Sequence, residues 1–270
     1  MNYSVLMSVY HKEKPEFLRQ SMESILAQTV ATDDFVLVCD GPLTIELDNV
    51  IAFFQRRMGE ILHVVRLEKN AGLGNALNEG IKYCKNEIVA RMDTDDIAYP
   101  DRCEKQLAIF SNRHIDIVGA AIEEFSTSTS AIEARRIPPE THEEILAFAK
   151  RRNPFNHPCV MYRKSAVEAA GGYQEIFLLE DYFLWTRMLI NGSNGYNIQE
   201  PLLWMRAGKS MYKRRGGWKY AKAQIELFKY MKDQGFIGQK EYLMSCLIRT
   251  TSACAPNWIR EGMFKKVLRK

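Results

Sequence analysis

Several features are scarce or missing in this 270-residue sequence, and each absence closes off a class. No apolar run reaches the roughly 18 residues that a membrane span needs, and Met1-Asn2-Tyr3-Ser4 lacks the basic start of a signal peptide. The six cysteines, at 39, 84, 103, 159, 246 and 254, form no Cys-x-x-Cys pair, which argues against a zinc site and against a disulfide framework. Several stand in apolar patterns as small core residues, so a reducing compartment, the cytoplasm, is expected. The loop after the first apolar run, Tyr10-His11-Lys12-Glu13-Lys14, has no glycine with which to wrap its backbone around a triphosphate. Gly72-Leu73-Gly74 opens like a dinucleotide fingerprint, but Leu77 stands at the third glycine position and the segment follows the third strand rather than the first. Those two glycines suit close strand–helix packing or a backbone lying near a phosphate.

What remains has the make-up of an ordinary globular protein, 46% apolar and 26% charged. Its length allows one large α/β domain with a small appendage. The net charge of +4 hides an asymmetry. From Arg206 onward 16 Lys and Arg face 4 Asp and Glu, a balance of +12; the first 205 residues carry 21 against 29, or −8. A basic end on an acidic body calls for an anionic partner, and on charge alone a membrane surface or a phosphate-bearing substrate fits as well as nucleic acid, which is not the partner expected.

Strands and helices alternate through the first 125 residues. Apolar runs predict strands at 4–9, 35–39, 61–67, 87–92 and 115–125. Helical spacing predicts helices from Pro15 (with Leu18, Met22, Ile25 and Leu26 on one face) and at 44–58, 70–85 and 100–112. Such alternation implies right-handed crossovers and a mainly parallel central sheet flanked by helices. Past residue 125 the pattern blurs: a polar loop or hairpin at 126–130, helices at 141–151, 164–170 and 179–190, and strands at 159–162 and 198–205. Beyond Arg206 the chain reads as a helical extension, with helices at roughly 215–235, 239–252 and 257–268.

The chemistry gathers at Arg91-Met92-Asp93-Thr94-Asp95-Asp96. Three carboxylates within four positions repel one another unless solvated or holding a cation. Alternation along an extended segment puts Asp93 and Asp95 on one side, where both reach one hard ion; Mg²⁺ or Mn²⁺ suits such oxygen donors. The segment ends a buried strand, at the edge where open α/β sheets bind ligands, and Asp40 ends another strand at the same edge. Asp40 can accept hydrogen bonds from a base or ribose. Glu180 and Asp181 open a helix, where Asp181 either serves only to favour the helix N-terminus through the dipole or, with Glu180 beside it, one carboxylate acts as general base toward a substrate hydroxyl. His157, in an irregular segment, is a candidate at an acceptor or a diphosphate. Trp185, Trp204 and Trp218 are expected in the core rather than as sugar-stacking platforms.

Six segments, in order, resemble the family 2 inverting glycosyltransferases: Val5-Leu6-Met7-Ser8-Val9-Tyr10, Ser21 to Thr29, Val38-Cys39-Asp40-Gly41, Asn70 to Asn78, Asp93-Thr94-Asp95-Asp96, and Gly171-Gly172-Tyr173 with Glu180-Asp181-Tyr182. The likeness runs from Ser4 to about Arg206 and is to transferases of capsule, exopolysaccharide and O-antigen assembly. It implies the nucleotide-diphospho-sugar transferase (GT-A type) fold, with a domain at 1–206 (donor half 1–125, acceptor half 126–206); the basic helical extension at 207–270 is read from its own pattern and lies outside the likeness. The likeness also implies transfer of one sugar from a UDP-sugar to a glycan or lipid-linked acceptor. Asp40, Asn70, Gly72, Asn75, Asp93 and Asp96 would contact the nucleotide, Asp93 and Asp95 the metal, and Asp181 would deprotonate the acceptor hydroxyl. The Gln-x-x-Arg-Trp box of processive synthases is absent, which points to one sugar per encounter. In the last basic segment, Ile259, Met263, Phe264, Val267 and Leu268 oppose Arg260, Lys265, Lys266, Arg269 and Lys270. That pattern fits a helix on the inner face of the plasma membrane, and equally a solvated helix on its own domain.

Overall fold

The computed structural model describes residues 1–112, 114–207 and 216–254. Strands β1 (Ser4–Val9), β2 (Asp34–Cys39), β3 (Leu62–Arg66) and β4 (Ile88–Arg91) alternate with helices α1 (Pro15–Leu26), α2 (Ile45–Met58) and α3 (Leu73–Tyr83). The strands lie parallel in the order β3-β2-β1-β4. Their almost unbroken apolar sequences suit strands covered on both faces. Helix α1 starts at Pro15, where a missing N–H leaves no bond unmade, and buries Leu18, Met22 and Ile25. In α2 the Thr44 side chain accepts the Leu47 N–H and so caps the first turn. Helix α3 begins later than its periodicity suggests, because Asn70 to Gly72 are taken into a loop bound to Asp40. The glycine that brings α3 close to the sheet is Gly80, whose added Cβ would come within 2.6 Å of Leu6 and Val38 side chains. Gly72 and Gly74 do not serve that purpose.

Beyond β4 the chain forms β5 (Ile97–Ala98), α4 (Arg102–Asn112), β6 (Ile117–Phe125), β7 (Ile132–Arg136), α5 (His142–Ala149), β8 (Met161–Arg163), α6 (Lys164–Ala169), α7 (Glu180–Ile190) and β9 (Gly195–Arg206). The sheet continues β4-β8-β6-β9-β5, with β7 beside β6. β8 runs antiparallel to β4 and β6, β9 parallel to β6, and β5 antiparallel to β9. The parallel expectation therefore describes the first half, and the second half is mixed. β5 is two residues long and β7 is half exposed and charged, so neither carries an apolar run to betray it. Pro201 pairs with Ala121 where the β6–β9 register slips, as expected of a residue with no N–H for the ladder.

Apolar layers cover both faces of the sheet. One packs under α1, α2 and α4; the other, centred on Trp185, packs under α3, α5, α6 and α7. A third joins helices α8 (Trp218–Asp233) and α9 (Gln239–Cys254) to the body: Leu227, Phe228 and Met231 meet Ile176, Leu179 and Tyr182. Cys39, Cys84, Cys103 and Cys159 are buried and free, as expected of core thiols. Trp185 is core and Trp204 stacks on Tyr99 at 3.7 Å, but Trp218 is 66% exposed, against the core expectation, because it opens α8 on its outer side. The expected helix at 257–268 lies outside the described residues. No helix among those described is long and apolar enough to cross a membrane.

Candidate active site

Strand β4 delivers the acidic cluster to the sheet's C-terminal edge. One carboxylate oxygen from each of Asp93, Asp95 and Asp96 lies within 4.8 Å of the others. Arg91, fully buried, donates from its guanidinium to Asp93 Oδ1. Asp96 is 1% exposed; its Oδ1 accepts the Arg206 backbone N–H at 2.8 Å, while its buried Oδ2 has no hydrogen-bond partner. Burial, then the charges of Asp93 and Glu13, push Asp95 up to about 7. Burial, then Asp95, hold Asp96 well above the usual carboxylate range. Arg206 reaches over from the end of β9, donating to the Asp95 carbonyl at 3.0 Å and lying 3.8 Å over the Phe17 ring. An orphaned buried oxygen among three hard donors, two of them (Asp95 and Asp96) costly to ionise where they stand, fits a divalent cation better than it fits a structural turn.

A brace holds this loop in place, and sequence reasoning missed it. Ser21 Oγ donates to the Asp93 carbonyl at 2.9 Å and Ser24 Oγ accepts the Ala98 N–H at 3.1 Å. Gln28 Nε2 donates to the Tyr99 carbonyl at 2.7 Å while its Oε1 accepts the Cys103 N–H at 2.9 Å. The spacing Ser-x-x-Ser-x-x-x-Gln, from the last turns of α1 to just past its end, is thus a ladder of side chains satisfying the backbone around the cluster. Its polar residues on the inward side of an otherwise apolar face were the available signal. Below it, Arg102 donates to the Arg91 carbonyl and Gln106 to the carbonyls of Val118 and Cys159, tying β4 and β6 to the turn that leads into β8 under the site.

Asp40 stands 4% exposed at the end of β2 and binds the neighbouring loop. Oδ1 accepts the Ala71 N–H at 2.6 Å; Oδ2 accepts Asn70 Nδ2 at 2.9 Å and the Gly72 N–H at 3.1 Å. Gly41 follows with φ +85°, and a Cβ there would sit 2.6 Å from the Asn70 nitrogen. Asn75 Nδ2 donates to the Ala71 carbonyl at 2.9 Å and closes the loop onto α3.

The same helix reaches the residues beyond β8. Asn78 clamps Tyr173, donating to its carbonyl at 2.6 Å and accepting its N–H at 2.7 Å. Gly74 lies 3.4 Å from Tyr173 Cβ and 3.6 Å from Glu180 Cβ, measured from an added Cβ, so this glycine allows α3 to approach α7. Asp181 Oδ2 accepts Asn153 Nδ2 at 2.7 Å and Oδ1 accepts the Tyr182 N–H at 2.7 Å. Burial first, and Asp181 beside it, push Glu180 up to about 7. Leu178, two residues earlier, has φ +59°, a strained conformation for a leucine, at the entry to this pair. His157 is partly buried between Tyr173 and Trp185, its Nε2 3.0 Å from the Tyr173 hydroxyl. Burial and the charge of Arg91 hold its pKa well below the ordinary imidazole value, so it is neutral at pH 7.

One cavity of about 800 Å³ is lined by Asp93, Asp95, Asp96, His157, Glu180 and Asp181 together. Asp40, Asn70, Gly72 and Asn75 stand outside its lining; Leu73, at the end of the loop they form, is inside it. The extension also contributes, through Tyr220, Gln224 and Arg249.

The sequence model of the "Glycosyl transferase family 2" family matches residues 4–171. The amylovoran biosynthesis glycosyltransferase AmsE of Erwinia amylovora is 40% identical over 98% of both chains. An Escherichia coli UDP-Gal:alpha-D-GlcNAc-diphosphoundecaprenol beta-1,3-galactosyltransferase is 37% identical over 99% of this chain and 97% of its own. Among solved structures, S. aureus TarS 1-349 in complex with UDP-GlcNAc superposes with a TM-score of 0.71 at 16% identity, covering all of this chain and 76% of that one. The fold is of the GT-A type, and the chain belongs to the family 2 glycosyltransferases.

Proposed function

We propose that the chain moves one sugar from a UDP-sugar to a hydroxyl of a glycan or lipid-linked oligosaccharide in the synthesis of a cell-surface polysaccharide, inverting the anomeric centre. The observation that carries this is the single cavity lined by both the Asp93–Asp95–Asp96 cluster and Asp181. Asp93 and Asp95 would hold Mn²⁺ or Mg²⁺, and Asp96 beside them would help to position the ribose or the metal. A divalent ion held there offsets the charge that grows on the departing diphosphate. Asp40, which still has acceptor capacity on its carboxylate, and the loop of Asn70, Gly72 and Asn75 that it fixes take the uridine. His157, being neutral, offers a diphosphate a hydrogen bond rather than a charge.

Asp181 takes the proton of the acceptor hydroxyl as that oxygen attacks the face of the sugar opposite the diphosphate. Asn153 fixes its orientation before substrate arrives. Glu180 stands beside it, half protonated near neutral pH. The pairing of a 37% identical relative that acts on a diphosphoundecaprenol-linked sugar with the +12 balance past Arg206 supports a lipid-linked acceptor and a peripheral place at the inner membrane face. A donor screen that measures UDP release with Mn²⁺, with and without chelator, tests the proposal. Asp95→Asn is expected to abolish metal-dependent turnover, and Asp181→Asn to spare UDP binding while removing transfer. Activity that survives both substitutions would refute it.

A further inference from the structure

The cavity wall carries positive charge as well as negative. Arg152 and Arg249 both line it, and neither belongs to the donor or base machinery described above. Arg249 comes from α9, in the extension, and donates to the Arg151 carbonyl. Arg152 is the next residue, and Asn153, one further, holds Asp181 at 2.7 Å. Three consecutive residues thus tie down one guanidinium, supply a second and orient the base. The two cations stand close enough that each adds its charge to the surroundings of Tyr182, the residue after Asp181, and burial together with Arg249 lowers the pKa of Arg152. Two guanidinium groups brought to one cavity wall beside Asp181 suit an anionic substrate group, since their planar forks match phosphate oxygens.

We propose that Arg152 and Arg249 form an anion subsite that grips the phosphate or diphosphate of the acceptor, so that the acceptor's hydroxyl is presented to Asp181. The subsite rests on the glycosyl-transfer reading above and adds to it the acceptor class: a sugar carried on phosphate. It also gives the basic extension a task, because without α9 half of the subsite is missing. On the outer side of α9, Leu243, Met244, Leu247 and Ile248 are all more than half exposed, an apolar stripe beside the anion site that favours a phosphate borne on a lipid.

The test is titration calorimetry on the full chain saturated with UDP and Mn²⁺, so that the donor site is filled. Decyl diphosphate is the probe, with inorganic pyrophosphate as a second arm. The expected result is one saturable site for decyl diphosphate, weakened about ten- to hundred-fold by Arg152→Gln and by Arg249→Gln, with UDP–Mn²⁺ affinity unchanged. Arg249→Lys, which keeps the charge without the fork, is expected to fall between. Tighter binding of decyl diphosphate than of pyrophosphate assigns the phosphate to a lipid; equal binding assigns it to a soluble phosphorylated glycan. If Arg249→Gln fails to fold, as shown by loss of UDP–Mn²⁺ binding, Arg152→Gln decides alone. No saturable site, or variants that bind as tightly as the parent, overturns the subsite while leaving glycosyl transfer intact. Failure of UDP itself to bind overturns both.

Discussion

Glu180 offers a quantitative check on the part of the cavity that α7 lines. Burial is the larger cause of its raised pKa and Asp181 the second, together taking it from about 4.5 to about 7. A carboxyl whose folded pKa is raised stabilises the fold below its unfolded pKa, and that contribution is lost as pH climbs through the folded value. The window is therefore about pH 4.5 to 7. A shift of roughly 2.5 units corresponds to about 3 kcal/mol at 1.36 kcal/mol per unit, an upper figure because the side chain keeps some contact with solvent. Glu180→Gln removes the titration. Relative to the parent, this variant should gain about 2–3 kcal/mol of stability between pH 5 and pH 8, measured by urea unfolding at both values with chelator present. Equal differences between variant and parent at the two pH values would refute the buried, Asp181-coupled placement of this side chain.

Other consequences are open to the same kind of measurement. Gln28→Ala strips the buried Cys103 N–H of its partner and frees the Tyr99 carbonyl; it should cost about 1–3 kcal/mol and weaken Mn²⁺ binding although Gln28 touches no ligand oxygen. Gly41→Ala forces a side chain into the left-handed region against the Asn70 backbone, and should lower stability by about 1–3 kcal/mol while raising the KM for donor more than it lowers kcat. Asp95→Asn should stabilise the metal-free protein by about 1–3 kcal/mol at pH 8, since it removes a charge that is costly there, while abolishing stabilisation by added Mn²⁺. A variant that loses both stability and metal response would argue for an ordinary structural carboxylate.

Much of the parallel half was legible in the sequence because its strands are buried on both faces and its helices carry clean apolar stripes. The four parallel strands and the acidic cluster at their edge follow from that periodicity. The mixed half was less legible. β5 is too short to show a pattern, β7 is stabilised by ion pairs from Arg135 and Arg136 to Glu123 and Glu124 rather than by burial, and β9 continues through a proline. Asp181 was visible by its position at a helix start, but Asn153, which orients it, lies 28 residues away and becomes its partner only in three dimensions. The same holds for Arg206 over Asp95 and for the α1 brace, 72 residues from the loop it supports. Local spacing reports faces of helices and strands; it does not report which distant loop a polar side chain will satisfy.

The account turns on whether three carboxylates at the end of β4 hold a cation. Titration of Mn²⁺ followed by electron paramagnetic resonance, with and without UDP, measures this directly. One site per chain is predicted, tightened by UDP and lost in Asp95→Asn. Absence of a Mn²⁺ site, or one undiminished by Asp95→Asn, would contradict it.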